Sequence, residues 1–269
     1  MLRAISLSDL HPSQRSQLPL QSFVESDSHY RKEVWVSSKK HDVTVSDVEE
    51  LSPRLRRLRL SGKKLRDLKW SAGDKVKIRI CGKSRSYTPS AVNADIGWMD
   101  IVFFTHGNGP LSRWAAKAEV GMPVAVSKPE KSMKPSKKAP AWALFLGDET
   151  TLGLSKALLS TLPSGTPVLG AIELNVEDAG ALAKLGLPLS AAIRRGHHGD
   201  ALIDWLGRTK LPEGKGAIWI SGESVTVQTL KEMLDNRPLA KTTVKTKSYW
   251  KSKHRKVCTP ASELQVAAI

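Results

Sequence analysis

A short segment, Arg85-Ser86-Tyr87-Thr88, contains side chains that could bind a flat, charged ligand. A guanidinium fork can pair with a phosphate oxygen. Tyr87 follows Arg85 by two positions, so on a strand it shares the same face, where its ring can stack on a planar heterocycle. The Thr88 hydroxyl or amide can hydrogen-bond a ring nitrogen. Taken alone, the four residues are explained more simply as an ordinary strand with mixed side chains.

A second segment, Phe103–Ala115, has the residue types of a strand that ends on a glycine-rich turn before a helix. Gly109 permits a close backbone approach, and Pro110 suits the first turn of a helix. The free amides of a helix start form a site for a pyrophosphate, to which Ser112 adds a hydroxyl donor. His106 either contacts the ligand or is an ordinary turn histidine, and the sequence leaves both interpretations open.

These two segments lie within a series of short β-prone runs separated by glycine and proline. The run Val76–Ile80 alternates apolar residues with lysine and arginine, which is the period of a half-buried strand. The leucines of Leu55–Leu60 stand among arginines, which indicates an exposed amphipathic strand. Several such strands predict a small antiparallel barrel, interrupted by a helix that starts near Pro110. The other β-prone runs are Val34–Val36, Met99–Thr105 and Val124–Val126.

The pattern changes after Lys128–Pro140, a stretch rich in Lys, Ser and Pro that is typical of a linker. Apolar strands then alternate with helices, and βα units of this length predict a parallel sheet covered by helices. The predicted strands are Ala141–Leu146, Pro167–Leu174, Leu189–Ile193 and Ala217–Ser221, and the predicted helices are Glu149–Leu162, Val176–Leu185, Asp200–Leu206 and Glu223–Leu234. The expected organisation is a flexible lead-in at 1–27, an antiparallel β-barrel domain at 28–138, an α/β domain at 139–252 and a basic tail at 253–269.

Taken together, the motifs resemble those of the siderophore-interacting protein family, also called ferric-siderophore reductases, within the ferredoxin-reductase-like flavoproteins. The Arg85–Thr88 motif and the strand ending at His106 are followed by further matching segments in the family's order. These segments are Gly109–Ala115, Gly147–Thr150, Ser221–Ser224 and Tyr249–Trp250. The combination is much more specific than any single motif.

The resemblance implies an oxidoreductase with FAD in the barrel. Tyr87 and Thr88 would lie at the isoalloxazine and take part in catalysis, while Arg85 and the Gly109–Arg113 turn would hold the pyrophosphate. NAD(P)H, or a ferredoxin in some members, would supply electrons that reduce Fe(III) in a siderophore to Fe(II) for iron acquisition. The implied cofactor-binding residues are Arg85, Ser86, Tyr87, Thr88, Phe104, Thr105, His106, Gly109, Pro110, Leu111, Ser112, Arg113 and Trp250.

The chain departs from the family pattern near the implied substrate and donor sites. Glu130 stands where an arginine is expected, and Lys251 replaces the arginine that often follows the terminal aromatic pair. Gly147–Thr150 replaces a glycine-rich dinucleotide motif, and its two acids would repel a pyrophosphate. Glu149 is better explained as a helix-start acid than as a nicotinamide-side group. By position in the family pattern, the implied substrate contacts are Lys77, Lys131 and Lys251.

The composition limits the alternatives. The chain carries 42 Lys and Arg against 26 Asp and Glu, and the net charge of +16 attracts anionic partners without choosing among them. The basic stretch at 241–256 and the three implied substrate lysines are also explained as solvated surface. Two cysteines, Cys81 and Cys258, cannot form a four-cysteine iron–sulfur site, so redox chemistry requires an organic cofactor and no metal site is expected.

The sequence lacks a long apolar run and a secretory signal, which predicts a cytoplasmic protein without a membrane span. A monomer is expected. Two alternatives stand beside siderophore reduction: a flavin-dependent reductase of a free flavin, quinone or simple ferric chelate, and a nucleic-acid-binding module. The chain has no recognised nucleic-acid motif and only 6% aromatic residues, which disfavours the module.

Overall fold

The computed structural model describes residues 43–80, 82–239 and 242–252. The predicted lead-in, the Val34–Val36 run, both cysteines and the tail at 253–269 lie outside the described residues. The first part of the described chain contains seven strands. They are β1 (Thr44–Ser52), β2 (Leu55–Ser61), β3 (Val76–Ile80), β4 (Lys83–Tyr87), β5 (Ala91–Asn93), β6 (Trp98–Phe104) and β7 (Ala125–Val126).

These strands form two antiparallel sheets, ordered β1-β2-β6-β5 and β4-β3-β7. In β3, Val76, Ile78 and Ile80 are buried while the lysine and arginine between them are exposed, as the two-residue period of a strand requires. Helix α1 (Pro110–Ala116) packs Trp114 into the same apolar core. The predicted antiparallel amino-terminal architecture is confirmed.

The leucines of β2 contradict the prediction of an exposed strand. Leu55, Leu58 and Leu60 are fully buried because β2 lies between β1 and β6 and has apolar residues packed on both of its faces. Leu58 and Leu60 pack in the barrel core, and Leu55 packs in the cluster shared with the α/β part. The arginines beside Leu55 are held by acidic neighbours, as in the pair of Arg59 Nε with Asp100 Oδ1 at 2.7 Å. The arginines are therefore paired with acids within the sheet, and the prediction that β2 is an exposed strand was wrong.

The second part of the chain is a five-stranded parallel sheet ordered β10-β9-β8-β11-β12. The predicted alternation of strands and helices, and the parallel sheet with it, is confirmed. The strands are β8 (Trp142–Asp148), β9 (Val168–Leu174), β10 (Ser190–Ile193), β11 (Gly216–Glu223) and β12 (Thr243–Trp250). The helices are α2 (Leu152–Leu159), α3 (Ala181–Lys184), α4 (Asp200–Arg208) and α5 (Ser224–Asp235).

Two of the predicted helices are shorter than expected. A 3-10 turn, Glu149–Thr151, precedes α2, and another, Val176–Asp178, is separate from α3. Helix α3 ends because Gly186 adopts a left-handed φ of 59°, and the Leu187 amide donates back to the Leu182 carbonyl. This six-to-one bond is a glycine-based helix stop, which limits α3 to four residues.

The two parts of the chain share an apolar core. Leu55 and Val102 of the barrel belong to one buried cluster with Phe145 and Leu158 of the α/β part. At Gly153 the approach is so close that an added Cβ would lie 2.5 Å from the Thr88 carbonyl oxygen. The packing therefore fixes the end of the Arg85–Thr88 motif against helix α2.

Candidate active site

A cavity of about 1090 Å³ lies between the barrel and the carboxyl ends of the parallel strands. Ligand pockets in proteins commonly have volumes of roughly 300–1,000 Å³, so this cavity can hold a large cofactor. Thr105, Arg113, Lys131 and Lys251 are predicted site residues that do not line it. The predicted site residues in its wall are Lys77, Arg85, Ser86, Tyr87, Thr88, Phe104, His106, Gly109, Pro110, Leu111, Ser112 and Trp250.

Strand β4 supplies the charged and aromatic side chains of one wall. Arg85 is solvent-exposed, and its Nη1 donates to the Ser84 carbonyl at 2.9 Å. The Tyr87 ring packs on Phe103, with ring centroids 4.6 Å apart. Burial raises the pKa of Tyr87 to about 12, so its hydroxyl stays protonated and can donate a hydrogen bond.

The turn before α1 supplies the next part of the wall. The Gly107 amide donates to Ser112 Oγ at 3.0 Å, and the Asn108 amide donates to His106 Nδ1 at 3.3 Å. Gly109 has a φ of 89°, a conformation that favours glycine, and an added Cβ would enter open space. His106 thus organises the turn and also lines the cavity. Burial lowers the pKa of His106, which favours the neutral ring.

The end of β12 closes the cavity from the α/β side. The Tyr249 hydroxyl and Thr88 Oγ1 share a hydrogen bond of 2.9 Å, which joins the barrel to the last strand. The Trp250 Nε1 donates to Asp148 Oδ2 at 2.8 Å, and its ring stands edge-to-face against His198 at 4.8 Å. These contacts hold Trp250 in the cavity wall.

Asp148, which anchors Trp250, is a buried carboxylate at the end of β8. One of its oxygens accepts from the Thr150 amide at 2.9 Å, and the other accepts from the Glu223 amide at 3.0 Å. Burial raises the pKa of Asp148 to about 6, although the Thr150 and Trp250 hydrogen bonds oppose that shift.

Glu149 lies in the first turn after β8, yet its carboxylate serves an ion pair. Both oxygens accept from Arg194, at 2.7 Å each, and the side chains are only 2% and 14% exposed. Arg194 also lies 3.5 Å from Glu173. The helix-start interpretation is therefore incomplete, because Asp148 caps the turn while Glu149 is paired across the sheet.

Three of the helical segments that begin at this sheet edge are each capped by a buried carboxylate. Asp148 caps the turn Glu149–Thr151, and Glu223 caps α5 by accepting from the Thr226 amide at 2.8 Å. Glu173 caps α4, where the Gly199 amide donates to it at 2.8 and 2.9 Å. The anion-binding positions of these helix starts are occupied by the chain's own carboxylates.

The basic side chains at the cavity differ from the expected set. Lys77 lines the cavity, as do two lysines that the sequence did not single out, Lys75 and Lys247. Lys131 and Lys251 are exposed outside the lining. Lys247 lies two residues before Tyr249 on β12, and this spacing could have indicated it.

Arg194, His198 and Tyr249 also line the cavity and were missed as site residues. Arg194 and His198 directly follow β10, at the carboxyl edge where ligands of parallel sheets bind, and that position was the available signal. Within the described ranges, no group of three or more acidic, histidine or cysteine side chains is placed to hold a metal. No helix among the described residues is both long and apolar enough to cross a bilayer.

Two family models match consecutive parts of the chain. A model described as siderophore-interacting protein matches residues 140–253, and one described as siderophore-interacting FAD-binding domain matches residues 81–133. The chain belongs to the siderophore-interacting protein family. The interval between the matches, at 134–139, falls where the antiparallel sheets give way to the parallel sheet. The resemblance seen in the motifs is thereby confirmed.

Solved structures share the fold of this chain. A siderophore utilization protein from T. fusca is 23% identical, with a TM-score of 0.66 over 80% of this chain and 94% of the other. A siderophore-interacting protein from Aeromonas hydrophila is 23% identical, with a TM-score of 0.63 over 78% and 97%. The FAD- and NAD-binding domain of a nitric oxide dioxygenase from Vibrio cholerae is 17% identical, with a TM-score of 0.60 over 77% and 99%.

Proposed function

We propose that this protein is an FAD-dependent reductase of ferric siderophores that releases Fe(II) for cytoplasmic use. One observation carries the proposal. In a chain of the siderophore-interacting family, a single cavity between the barrel and the parallel sheet brings Arg85, Tyr87 and Trp250 together. A cation, a protonated phenol and an aromatic wall are the groups that a dinucleotide flavin requires.

The cavity walls fit FAD. Arg85 is a solvent-exposed guanidinium that can pair with the pyrophosphate, and Gly109 leaves the adjacent backbone open. Tyr87 and Thr88 would stand at the isoalloxazine and position it, with Trp250 as an aromatic cover. We retain Ser86, Phe104, Thr105, His106, Pro110, Leu111, Ser112 and Arg113 as the remaining proposed cofactor contacts.

The residues around the ring have distinct tasks in this proposal. Thr88 Oγ1 shares its hydrogen bond with Tyr249, so the last strand restrains the Thr88 side chain. Trp250, fixed by Asp148, excludes water from the side of the parallel sheet. Bound FAD supplies the ability to accept two electrons together and to pass them on singly.

The overall reaction balances with a pyridine nucleotide as the reductant. One NAD(P)H gives two electrons to two ferric siderophores, and NAD⁺ or NADP⁺, one proton and two Fe(II) are formed. Lowering the charge of the iron weakens its bonds to the oxygen donors, which releases the metal. A ferredoxin is the alternative donor, in which case each ferric ion takes one electron and no hydride is involved.

We assign the substrate to the basic end of the cavity. Lys77 and Lys247 line the cavity, and Lys131 and Lys251 would extend the basic surface outside the lining. The proposed domains are the FAD-binding barrel at 28–138 and the reductase domain at 139–252, in a monomeric cytoplasmic protein.

A spectrum and an anaerobic titration test the proposal. The purified protein should be yellow, and NADPH, NADH or a reduced ferredoxin should bleach it. Addition of a ferric siderophore should restore the colour, and a ferrous-specific chelator should report two Fe(II) for each NAD(P)H consumed. A colourless protein that does not take up added FAD would refute the flavin assignment. A flavoprotein that reduces quinones but no ferric siderophore would refute the substrate.

A further inference from the structure

The acid Glu130 is fixed against the basic end of the cavity by both its backbone and its side chain. Its amide donates to the Lys75 carbonyl at 2.8 Å, and its carbonyl accepts from the Lys75 amide at 2.9 Å. Its carboxylate lies 2.7 Å from Lys77 Nζ and 3.3 Å from Lys75 Nζ. A carboxylate held by a two-way backbone bridge stays close to both lysines.

This carboxylate reduces the positive charge that a ligand meets. Lys75 and Lys77 both line the cavity, and together with Glu130 they carry a net charge of one rather than two. Hydrogen bonds from Lys77 and Lys75 lower the pKa of Glu130, so it remains ionised at neutral pH.

The other cations of the cavity are already engaged or assigned. Arg54 donates two hydrogen bonds to Asp178, and Arg194 is paired with Glu149. Arg85 is assigned to the cofactor pyrophosphate in the proposed function. Lys247 is the further lysine of the lining, so the cavity wall carries three lysines, two of which are paired with the Glu130 carboxylate.

Ferric siderophores differ widely in charge. Three catecholate dianions around Fe(III) leave a trianionic complex, whereas three hydroxamates leave a neutral complex. We propose that Glu130 is a specificity-determining residue that favours ferric chelates of low negative charge, of the hydroxamate type, over trianionic catecholates. This inference rests on the proposed function, because it takes the same cavity as the siderophore site.

The test uses the FAD-loaded protein and redox-inert gallium(III) complexes, so that binding is measured without electron transfer. The probes are gallium tris-hydroxamate and gallium tris-catecholate, and quenching of tryptophan fluorescence reports their Kd. Glu130→Gln should tighten the catecholate about tenfold and change the hydroxamate less than about twofold, because only the charged ligand senses the removed carboxylate. The catecholate gain should shrink as salt is added.

Two further variants separate charge from structure. Glu130→Asp keeps the carboxylate and should retain the wild-type preference. Glu213→Gln removes an exposed acid at the opposite, amino-terminal end of the parallel sheet and should change neither Kd. An equal change for both gallium complexes, or no change in Glu130→Gln, would overturn the inference.

The outcomes also separate this inference from the proposed function. Failure of the wild-type protein to bind either gallium complex would overturn the inference as well as the substrate assignment. Selective binding of gallium hydroxamate, with the predicted response of Glu130→Gln, would support the inference even in a protein that reduces no ferric complex. In that case only the reductase assignment would fall.

Discussion

Replacing Arg194 with methionine should leave the buried carboxylate of Glu149 without its ion-pair partner. The wild-type pair has two contacts of 2.7 Å, and the Glu149 side chain is only 2% exposed. Removing one partner of such a pair destabilises a protein by about 3–5 kcal/mol, because the remaining charge stays buried without compensation. For a chain of this size each kcal/mol lowers Tm by about 2–4 °C, so the expected loss is about 6–20 °C.

Thermal unfolding followed by circular dichroism measures this loss, with Arg195→Met as the matched control. Arg195 is the next residue and is exposed, so its replacement should leave Tm nearly unchanged. The double variant Arg194→Met, Glu149→Gln should recover at least half of the loss in Tm, since no buried charge is then left unpaired.

Two results would refute the reasoning. One is a Tm for Arg194→Met within about 2 °C of the Arg195→Met control. The other is a double variant no more stable than the single variant, which would show that the guanidinium stabilises the fold through packing and not through its charge.

Three more predictions concern other contacts of the cavity. Arg85→Ala should lose most of its bound FAD on gel filtration. The control Arg79→Ala, which replaces an exposed arginine on β3 outside the cavity lining, should keep its FAD. Equal FAD occupancy in the two variants would remove Arg85 from the site. Tyr249→Phe should lower stability by about 1 kcal/mol in thermal unfolding, since it removes the bond to Thr88, and an unchanged Tm would count against that bond. The pKa of Asp148 is raised from 3.8 to about 6 in the folded protein. Protonation of Asp148 therefore stabilises the fold by about 3 kcal/mol at low pH, and this stabilisation is lost as the pH rises through 6. Asp148→Asn should flatten that part of the stability–pH curve, and an unchanged slope would contradict the shift.

The sequence predicted those features that local pattern determines. The alternation of apolar and charged residues in Val76–Ile80 predicts a half-buried strand, and the alternation of β-strands and α-helices after residue 140 predicts a parallel sheet. The motif Arg85–Thr88 and the turn at Gly109 are contiguous, so their residue types could be recognised together. The structure brings both of them to one cavity.

The remaining features depend on contacts between distant parts of the chain. Thr88 and Tyr249 are 161 residues apart, and no local pattern indicates that their hydroxyls meet. Strand β1 was not predicted because it is mostly polar and only Val45 and Leu51 of its nine residues are buried. The exposure of β2 was misjudged because arginines that look solvated in sequence are paired with acids from neighbouring strands.

At the carboxyl edge of the parallel sheet, helix starts are capped by the chain's own carboxylates, and this has a kinetic consequence for the binding of a nucleotide. A phosphate that reaches this edge meets Asp148, Glu173 and Glu223 where free amides would otherwise attract it. Under the proposed function, a nucleotide donor would be held there by its nicotinamide and ribose, and its residence on the protein should be brief. Steady-state kinetics should show saturation only at high nucleotide concentration, with little dependence of KM on ionic strength.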